Sequence, residues 1–195
     1  MNNVTEIVVD VHTHHPRKCV ISPIMVGIHP WDAERESQLP NFAEGDIIGE
    51  TGLDFACSVD RAAQERLFRV HLEAAERLQK PVILHIVRAF EPAIKILANY
   101  SLKGVVFHGF IGSKQQAEEA LRRGYYLSFG DRSLRSAKTR QAIESTPLDR
   151  LFVESDDNPG IDILDIYAEV ARIKEITATE LSAQIYENYK RLLSI

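Results

Sequence analysis

Residues 7–14 read Ile7-Val8-Val9-Asp10-Val11-His12-Thr13-His14, an apolar run that stops on two histidines flanking a threonine. Four later runs repeat the arrangement: Ile47-Ile48-Gly49-Glu50, Pro81-Val82-Ile83-Leu84-His85, Val105-Val106-Phe107-His108 and Leu151-Phe152-Val153-Glu154-Ser155-Asp156. Short apolar runs separated by longer helix-period segments are the pattern of buried parallel strands. Each of these runs ends on a side chain able to ligate a metal. If the strands close into one (β/α) barrel, their C-terminal ends share a rim, and that rim is where such barrels carry their chemistry. His12, His14, His85 and His108 together with Glu50 and Asp156 supply four imidazoles and two carboxylates, a donor set suited to two divalent ions sharing a bridge.

Strands are expected at residues 6–12, 24–29, 46–50, 81–86, 104–108, 125–130 and 151–155. Between them lie amphipathic segments at 62–79, 91–99, 114–123 and 134–144, the first with Leu67, Val70, Leu72, Ala75 and Leu78 at near-helical spacing. Two closing helices are expected at 162–175 and 178–193, the second capped by Thr177 or Thr179. Alternation of this kind predicts an α/β fold of the TIM-like (β/α) barrel type. One connection departs from it. Only nine residues separate His14 from Ile24, fewer than the dozen or so that a βαβ crossover needs. Cys19-Val20-Ile21 then reads as a reduced second strand without its helix, and Pro16, Pro23 and Pro30 favour irregular backbone nearby. The barrel is therefore expected to be distorted or incomplete around the second strand.

At 195 residues the chain suits a single domain, 1–195, short for a barrel type that typically takes about 250. A net charge of −5 excludes a broad basic surface, so any nucleic-acid contact must be local and helped by bound metal. Cys19 and Cys57 are far apart and form no Cys-x-x-Cys pair, which argues against a disulfide framework or a zinc knuckle and suits a reducing cytoplasm. Met1-Asn2-Asn3-Val4-Thr5-Glu6 lacks the basic start and apolar stretch of a secretory leader. No membrane span and no obligate protein partner are expected.

Taken in order, several motifs resemble the TatD family of metal-dependent hydrolases, within the wider amidohydrolase-like barrels. They are Asp10-Val11-His12-Thr13-His14, Gly27-Ile28-His29-Pro30, Ile48-Gly49-Glu50-Thr51-Gly52-Leu53-Asp54, Lys80-Pro81-Val82-Ile83-Leu84-His85, His108-Gly109-Phe110, residues 124–130, and Glu154-Ser155-Asp156. The resemblance implies that His12, His14 and Asp156 bind one metal, that His85 and His108 bind another, and that Glu50 bridges the two. It also implies phosphodiester hydrolysis, with deoxyribonuclease activity in several members, and a substrate-side position for His29. Two stretches depart from the family pattern: Val87 stands where an Arg is usual, with Arg88 one residue further on, and Asp157-Asn158-Pro159 replaces an Arg-Asn-Glu-Pro stretch.

Residue chemistry is consistent with those roles. Side chains at i and i+2 of a strand share a face, so His12 and His14 can act together while His15 points away. A carboxylate such as Glu50 can give one oxygen to each of two ions, and Lys80, at the start of its strand, is badly placed for that task. Asp156 is the candidate general base for a metal-activated water. Arg88, Lys114 and Arg132 follow strand ends and are the candidate phosphate contacts, against a default of surface solvation. His29 either faces the mouth or fills a polar gap beside Trp31. Asp10 and Asp54 either steady turns or orient ligands, and His71 either packs or faces solvent within its helix. Phe55, Phe110, Tyr125, Tyr126 and Phe129 are core residues by default and base-stacking residues by alternative. The donor set admits Zn, Mn, Mg, Fe or Ni. The reading is a two-metal phosphodiesterase acting on DNA or RNA. Its alternatives are a hydrolase of small esters or amides and a degenerate barrel kept for binding.

Overall fold

The protein is described here by a computed structural model covering residues 7–35 and 38–195, so the leader reading of residues 1–6 falls outside it. Its described strands are β1 (Val8–Val9), β2 (Val20–Ile21), β3 (Met25–Val26), β4 (Ile47–Asp54), β5 (Val82–Val87), β6 (Val105–Phe107), β7 (Tyr126–Phe129) and β8 (Leu151–Val153). The helices are α1 (Arg61–Leu78), α2 (Phe90–Leu97), α3 (Lys114–Arg122), α4 (Asp131–Leu134), α5 (Ala137–Ser145), α6 (Ile163–Lys174) and α7 (Ala178–Leu193). The chain divides into two compact units, residues 23–108 and residues 1–22 with 109–195.

In the unit of residues 23–108, β3, β4, β5 and β6 pair successively and in parallel, with Met25 opposite Ile47, Gly52 opposite His85 and Val82 opposite Val105. Ile47, Ile48, Val82, Ile83, Leu84 and Val106 are fully buried, as expected of parallel strands covered on both faces. Helix α1 starts where the Asp60 carboxylate accepts from the Ala63 N–H at 2.8 Å, ends at Gln79 in the left-handed conformation, and buries Phe68, Leu72 and Ala75. Between the pairs Ile48↔Val82 and Thr51↔Leu84, β4 has one residue more than β5, a bulge that re-aims the side chain of Glu50. Gly52 at φ 144° makes this close approach possible, because a Cβ there would lie 2.2 Å from the His85 carbonyl oxygen. The Lys80 ammonium donates to the Phe42 and Ala43 carbonyls at 3.2 and 2.6 Å and also to that of Gly45, so it fastens the start of β5.

Two expectations for this unit are corrected. The strand expected at 46–50 runs on to Asp54, because past the bulge Thr51, Gly52, Leu53 and Asp54 pair with β5, so Glu50 lies within β4 and not at its end. The strand expected at 24–29 is only Met25–Val26, and His29 does not end it: His29 caps a 3-10 turn over Pro30–Asp32. Two local features turn the chain early. Gly27 lies against the backbone of Gly49, where a Cβ would come within 2.7 Å, and Pro30 opens the turn with its fixed φ.

In the other unit, β1 pairs with β2 in parallel, Val8 opposite Val20, with no helix between them. This is the reduced second strand expected at residues 19–21. Strands β7 and β8 form a second parallel pair, and the chain beyond β1 follows β8 through the Val11 N–H to the Val153 carbonyl at 3.3 Å. Helix α3 covers β7, while α6 and α7 cover β8 and α7 also reaches β1. The Tyr167 hydroxyl accepts from the Val9 N–H at 3.2 Å and donates to the Val9 carbonyl at 2.9 Å, fixing α6 to β1. Thr177 caps α7 in a reciprocal box with Glu180, as expected. The helix expected at 134–144 is instead two, α4 and α5, because the Ser136 hydroxyl accepts from Thr139 N–H and restarts the helix. Among the described residues, no helix is long and apolar enough to cross a membrane.

Candidate metal centre

Beyond β1 and β8 the backbone ladder continues into the first donor group. The Asp156 N–H donates to the His12 carbonyl at 3.1 Å and the His14 N–H donates to the Asp156 carbonyl at 3.0 Å, so Thr13 is bridged to Asp156 in parallel. Extended geometry sends the side chains flanking Thr13 to one side, and Asp156, at φ 55°, turns towards them. Asp156 Oδ1 lies 3.4 Å from His12 Nε2 and 3.9 Å from His14 Nε2, with His12 buried and His14 half exposed. His15 is exposed, its N–H donating to Thr13 Oγ1 at 3.1 Å, in keeping with its expected exclusion.

A chain of hydroxyls braces this group. Asp10 accepts from the Ser155 N–H at 3.0 Å and from the Ser155 hydroxyl at 2.6 Å, and that hydroxyl lies 2.9 Å from Thr13 Oγ1. Burial raises the Asp10 carboxyl to about 6 even though both bonds from Ser155 lower it. Asp10 therefore joins the ends of β1 and β8.

The second donor group lies in the unit of residues 23–108. Glu50 Oε2 is 2.8 Å from His108 Nε2, 3.4 Å from His85 Nδ1 and 3.8 Å from His29 Nε2. His85 Nδ1 and His108 Nε2 are 3.2 Å apart. The far nitrogen of His85, Nε2, lies 3.3 Å from Asp54 Oδ2, which also accepts the Trp31 indole N–H at 2.7 Å. Burial pushes the Asp54 carboxyl up, but hydrogen bonds from Trp31, Ala56 and His85 together hold it below the ordinary carboxylate range. Asp54 is thus an ionised acceptor, the partner that commonly fixes the tautomer of a metal-binding histidine.

Both groups fit a divalent cation. His12, His14 and Asp156 each offer one donor atom within 4.8 Å of the others, and Glu50 Oε2, His85 Nδ1 and His108 Nε2 lie 2.8 to 3.4 Å from one another. Donors about 2.1 Å from a tetrahedral ion stand about 3.4 Å apart, the separation seen for His12 with Asp156 and for His85 with Glu50.

His29 is set apart by its hydrogen bonding. Its Nδ1 accepts from the Trp31 N–H at 3.2 Å, which leaves the ring proton on Nε2. Burial, reinforced by His85, lowers its pKa to about 4 and keeps it neutral, so it faces Glu50 as a donor rather than as a lone pair. Arg88, at φ 52°, is exposed just beyond β5. Lys114 lies 3.9 Å from Glu118 and Arg132 3.2 Å from Asp157, both on exposed surface. Phe110, Tyr126 and Phe129 are buried, in keeping with their default as core.

Three further residues were given no such part by the sequence. Trp31, 54% exposed, reaches Asp54 and stands edge-on to His29 at 4.5 Å. Arg17 pairs with Asp162 at 3.6 Å and donates to the Pro159 carbonyl at 3.2 Å and to that of Ile161, tying the chain after His14 to the chain after Asp156. His71, buried in α1, accepts the Ile28 N–H at 2.9 Å and holds the residue before His29. Only the Gly-x-His-Pro-Trp order at residues 27–31 hints at any of these, by setting Trp31 two residues after a candidate histidine.

The chain is 30% identical over 165 residues to the uncharacterized metal-dependent hydrolase YabD of Bacillus subtilis, covering 76% of this chain and 65% of that protein. It is 32% identical over 144 residues to the 3'-5' ssDNA/RNA exonuclease TatD of Salmonella typhimurium, covering 67% of this chain and 55% of the exonuclease. It thus spans less than two thirds of the length of either. The crystal structure of YJJV, a TatD homolog from Escherichia coli, superposes with a TM-score of 0.80 at 26% identity, over 92% of this chain and 78% of that one. The fold is the α/β class of TatD and amidohydrolase-like barrels. The sequence profile described as TatD related DNase matches residues 14–194, and the chain belongs to that family.

Proposed function

We propose that this chain is a divalent-metal-dependent phosphodiesterase that hydrolyses DNA or RNA strands. The observation that carries the reading is the pair of donor groups, His12 with His14 and Asp156 in one unit, and Glu50 with His85 and His108 in the other. Each group would hold one ion, drawn from Zn, Mn, Mg, Fe or Ni. A divalent ion, when bound, polarises a phosphoryl oxygen and makes water acidic enough to be deprotonated near neutral pH. Asp156 then takes the proton of the attacking water through its carboxylate, which is one quarter exposed and open to solvent exchange. As the water oxygen bonds to phosphorus, the bond to the leaving oxygen breaks and solvent protonates the departing alkoxide. Within the unit of residues 23–108, the His29 Nε2–H and the Arg88 cation are groups suited to binding phosphate oxygens of a nucleic-acid strand. The −5 net charge confines nucleic-acid attraction to such local groups. Cys19 and Cys57 are both free thiols, which supports placement in the cytoplasm.

The test is hydrolysis of end-labelled single-stranded DNA by metal-stripped protein reloaded in turn with Mg, Mn and Zn. Metal-dependent cleavage is expected, and Asp156→Asn should lower it by about 10²- to 10⁴-fold, the range for loss of a positioned general base. Absence of cleavage with every ion, in protein shown to hold metal, would overturn the assignment in favour of a small ester or amide substrate.

A further inference from the structure

Trp31 keeps a large apolar ring more than half exposed, so burial alone gives little reason for its placement. Its closest polar contact is directional: the indole N–H donates at 2.7 Å to Asp54 Oδ2, the same oxygen that lies 3.3 Å from His85 Nε2. The other carboxylate oxygen, Oδ1, accepts from the Ala56 N–H at 2.8 Å, and the Asp54 backbone is held by Gln64, which accepts from its N–H at 2.7 Å and donates to its carbonyl at 3.0 Å. Asp54 therefore has one oxygen committed to its own loop and one shared between Trp31 and His85. An ionised carboxylate accepts only, so the proton of His85 must lie on Nε2 for this contact to be a hydrogen bond. The lone pair is then on Nδ1, the nitrogen 3.4 Å from Glu50 Oε2.

We propose that Trp31 and Asp54 are positioning residues for His85: the indole fixes the carboxylate, and the carboxylate fixes both the tautomer and the ring direction of His85. This rests on the reading of His85 as a metal donor. Charge-assisted bonds of this kind raise ligand basicity, and their loss commonly costs about 10- to 100-fold in metal affinity. Asp54→Asn keeps the shape and the Oδ1 acceptor but removes the charge, while Trp31→Phe keeps an aromatic ring and removes the N–H together with the second ring.

The experiment has two readouts. In metal-free protein, ¹⁵N shifts of the His85 ring should show a protonated Nε2 and a bare Nδ1, and Asp54→Asn should convert this to a mixture of tautomers. In parallel, zinc affinity is measured by competition with a chromophoric chelator. Asp54→Asn is expected to weaken one binding step about 10-fold or more, with Trp31→Phe weakening the same step less, and that step should be the one His85→Ala removes. A packing role alone would leave the His85 tautomer unchanged in both variants. If His85→Ala abolishes a binding step while both other variants bind zinc within about twofold of wild type, positioning is refuted and the metal reading stands. If His85→Ala leaves zinc binding intact, the metal reading falls and the proposal with it.

Discussion

In the unit of residues 1–22 and 109–195 the donors are aimed by backbone. The ladder of β1 and β8 runs on past both strands, and Asp156 is paired with the peptide groups on either side of Thr13, so His12, His14 and Asp156 meet as a consequence of strand pairing. Side chains there brace the ladder, through Asp10 and Ser155, rather than the donors themselves. In the unit of residues 23–108 the ladder is interrupted by a bulge at the donor, and side chains take over: Asp54 reaches His85 and His71 holds the residue before His29. A ladder restricts each donor through hydrogen bonds that any residue type makes, whereas a bulged strand depends on particular residues. The second unit should therefore be the more sensitive of the two to single substitutions and to pH.

The largest expected effect is just past the bulge, where Gly52 pairs with His85. Gly52→Ala puts a Cβ against the His85 carbonyl oxygen at a φ that only glycine adopts freely, and neither strand can retreat without opening the β4–β5 ladder. Backbone strain and overpacking each cost about 1–3 kcal/mol, so a loss of about 3 kcal/mol or more is expected in denaturant unfolding. A loss under about 1 kcal/mol would mean that the β4–β5 pairing beside the bulge relaxes freely and that the contrast between the units is weaker than drawn.

Acid should separate the units by sign in the metal-free protein. His71 is neutral in the fold, with its pKa lowered from 6.5 to about 4 by burial. The unfolded chain binds that proton first as pH falls, so the associated stability is complete above pH 6.5 and is lost between 6.5 and 4. His29, lowered to about 4, acts in the same direction. Asp10 acts oppositely: raised from 3.8 to about 6, it favours the folded state at low pH and withdraws that support as pH rises through 6. Urea unfolding of wild type and His71→Gln from pH 7 to pH 4 isolates the first contribution. Each tenfold drop in proton affinity on folding is worth about 1.4 kcal/mol, so the wild type should lose up to about 3 kcal/mol more than the variant. Parallel pH profiles would remove His71 as a source of acid lability.

How much of this could be read beforehand depends on how local the cause is. The donor residues were legible because apolar runs and the residues that follow them are neighbours in sequence, although Glu50 and His85 lie within β4 and β5 and not at their ends, and the missing crossover after His14 was legible from chain length alone. The pairing of His12 with His14 followed from the period of an extended strand. What escaped depends on distant pairs. The early end of β3 comes from Gly27 against Gly49, the Trp31 anchor from Asp54, and the role of His71 from Ile28, which is 43 residues away. The division of α4 from α5 is a different case. Ser136, whose hydroxyl accepts from the Thr139 N–H three residues on, is a cap that lies within the span of the single expected helix.

The smallest expected effect sharpens the comparison most. Ser155→Ala removes the hydroxyl that donates to Asp10 and contacts Thr13, leaving a buried carboxylate with one partner fewer. A lost bond to a charged group costs about 1.5–3 kcal/mol, and the rise of Asp10 to about 6 allows protonation to relieve part of that, so a loss of about 1–2 kcal/mol at pH 7 is expected. The backbone bonds of Asp156 to His12 and His14 do not involve the hydroxyl, and the Ser155 N–H still donates to Asp10. Zinc affinity of the His12, His14 and Asp156 group should therefore stay within about threefold of wild type, below the 10-fold expected for removing an orienting partner. Competition titrations of Ser155→Ala beside Asp54→Asn test this directly. A 10-fold loss in Ser155→Ala would show that the first group is aimed by its side chains as well, and the distinction between a ladder-held and a side-chain-held donor set would not survive.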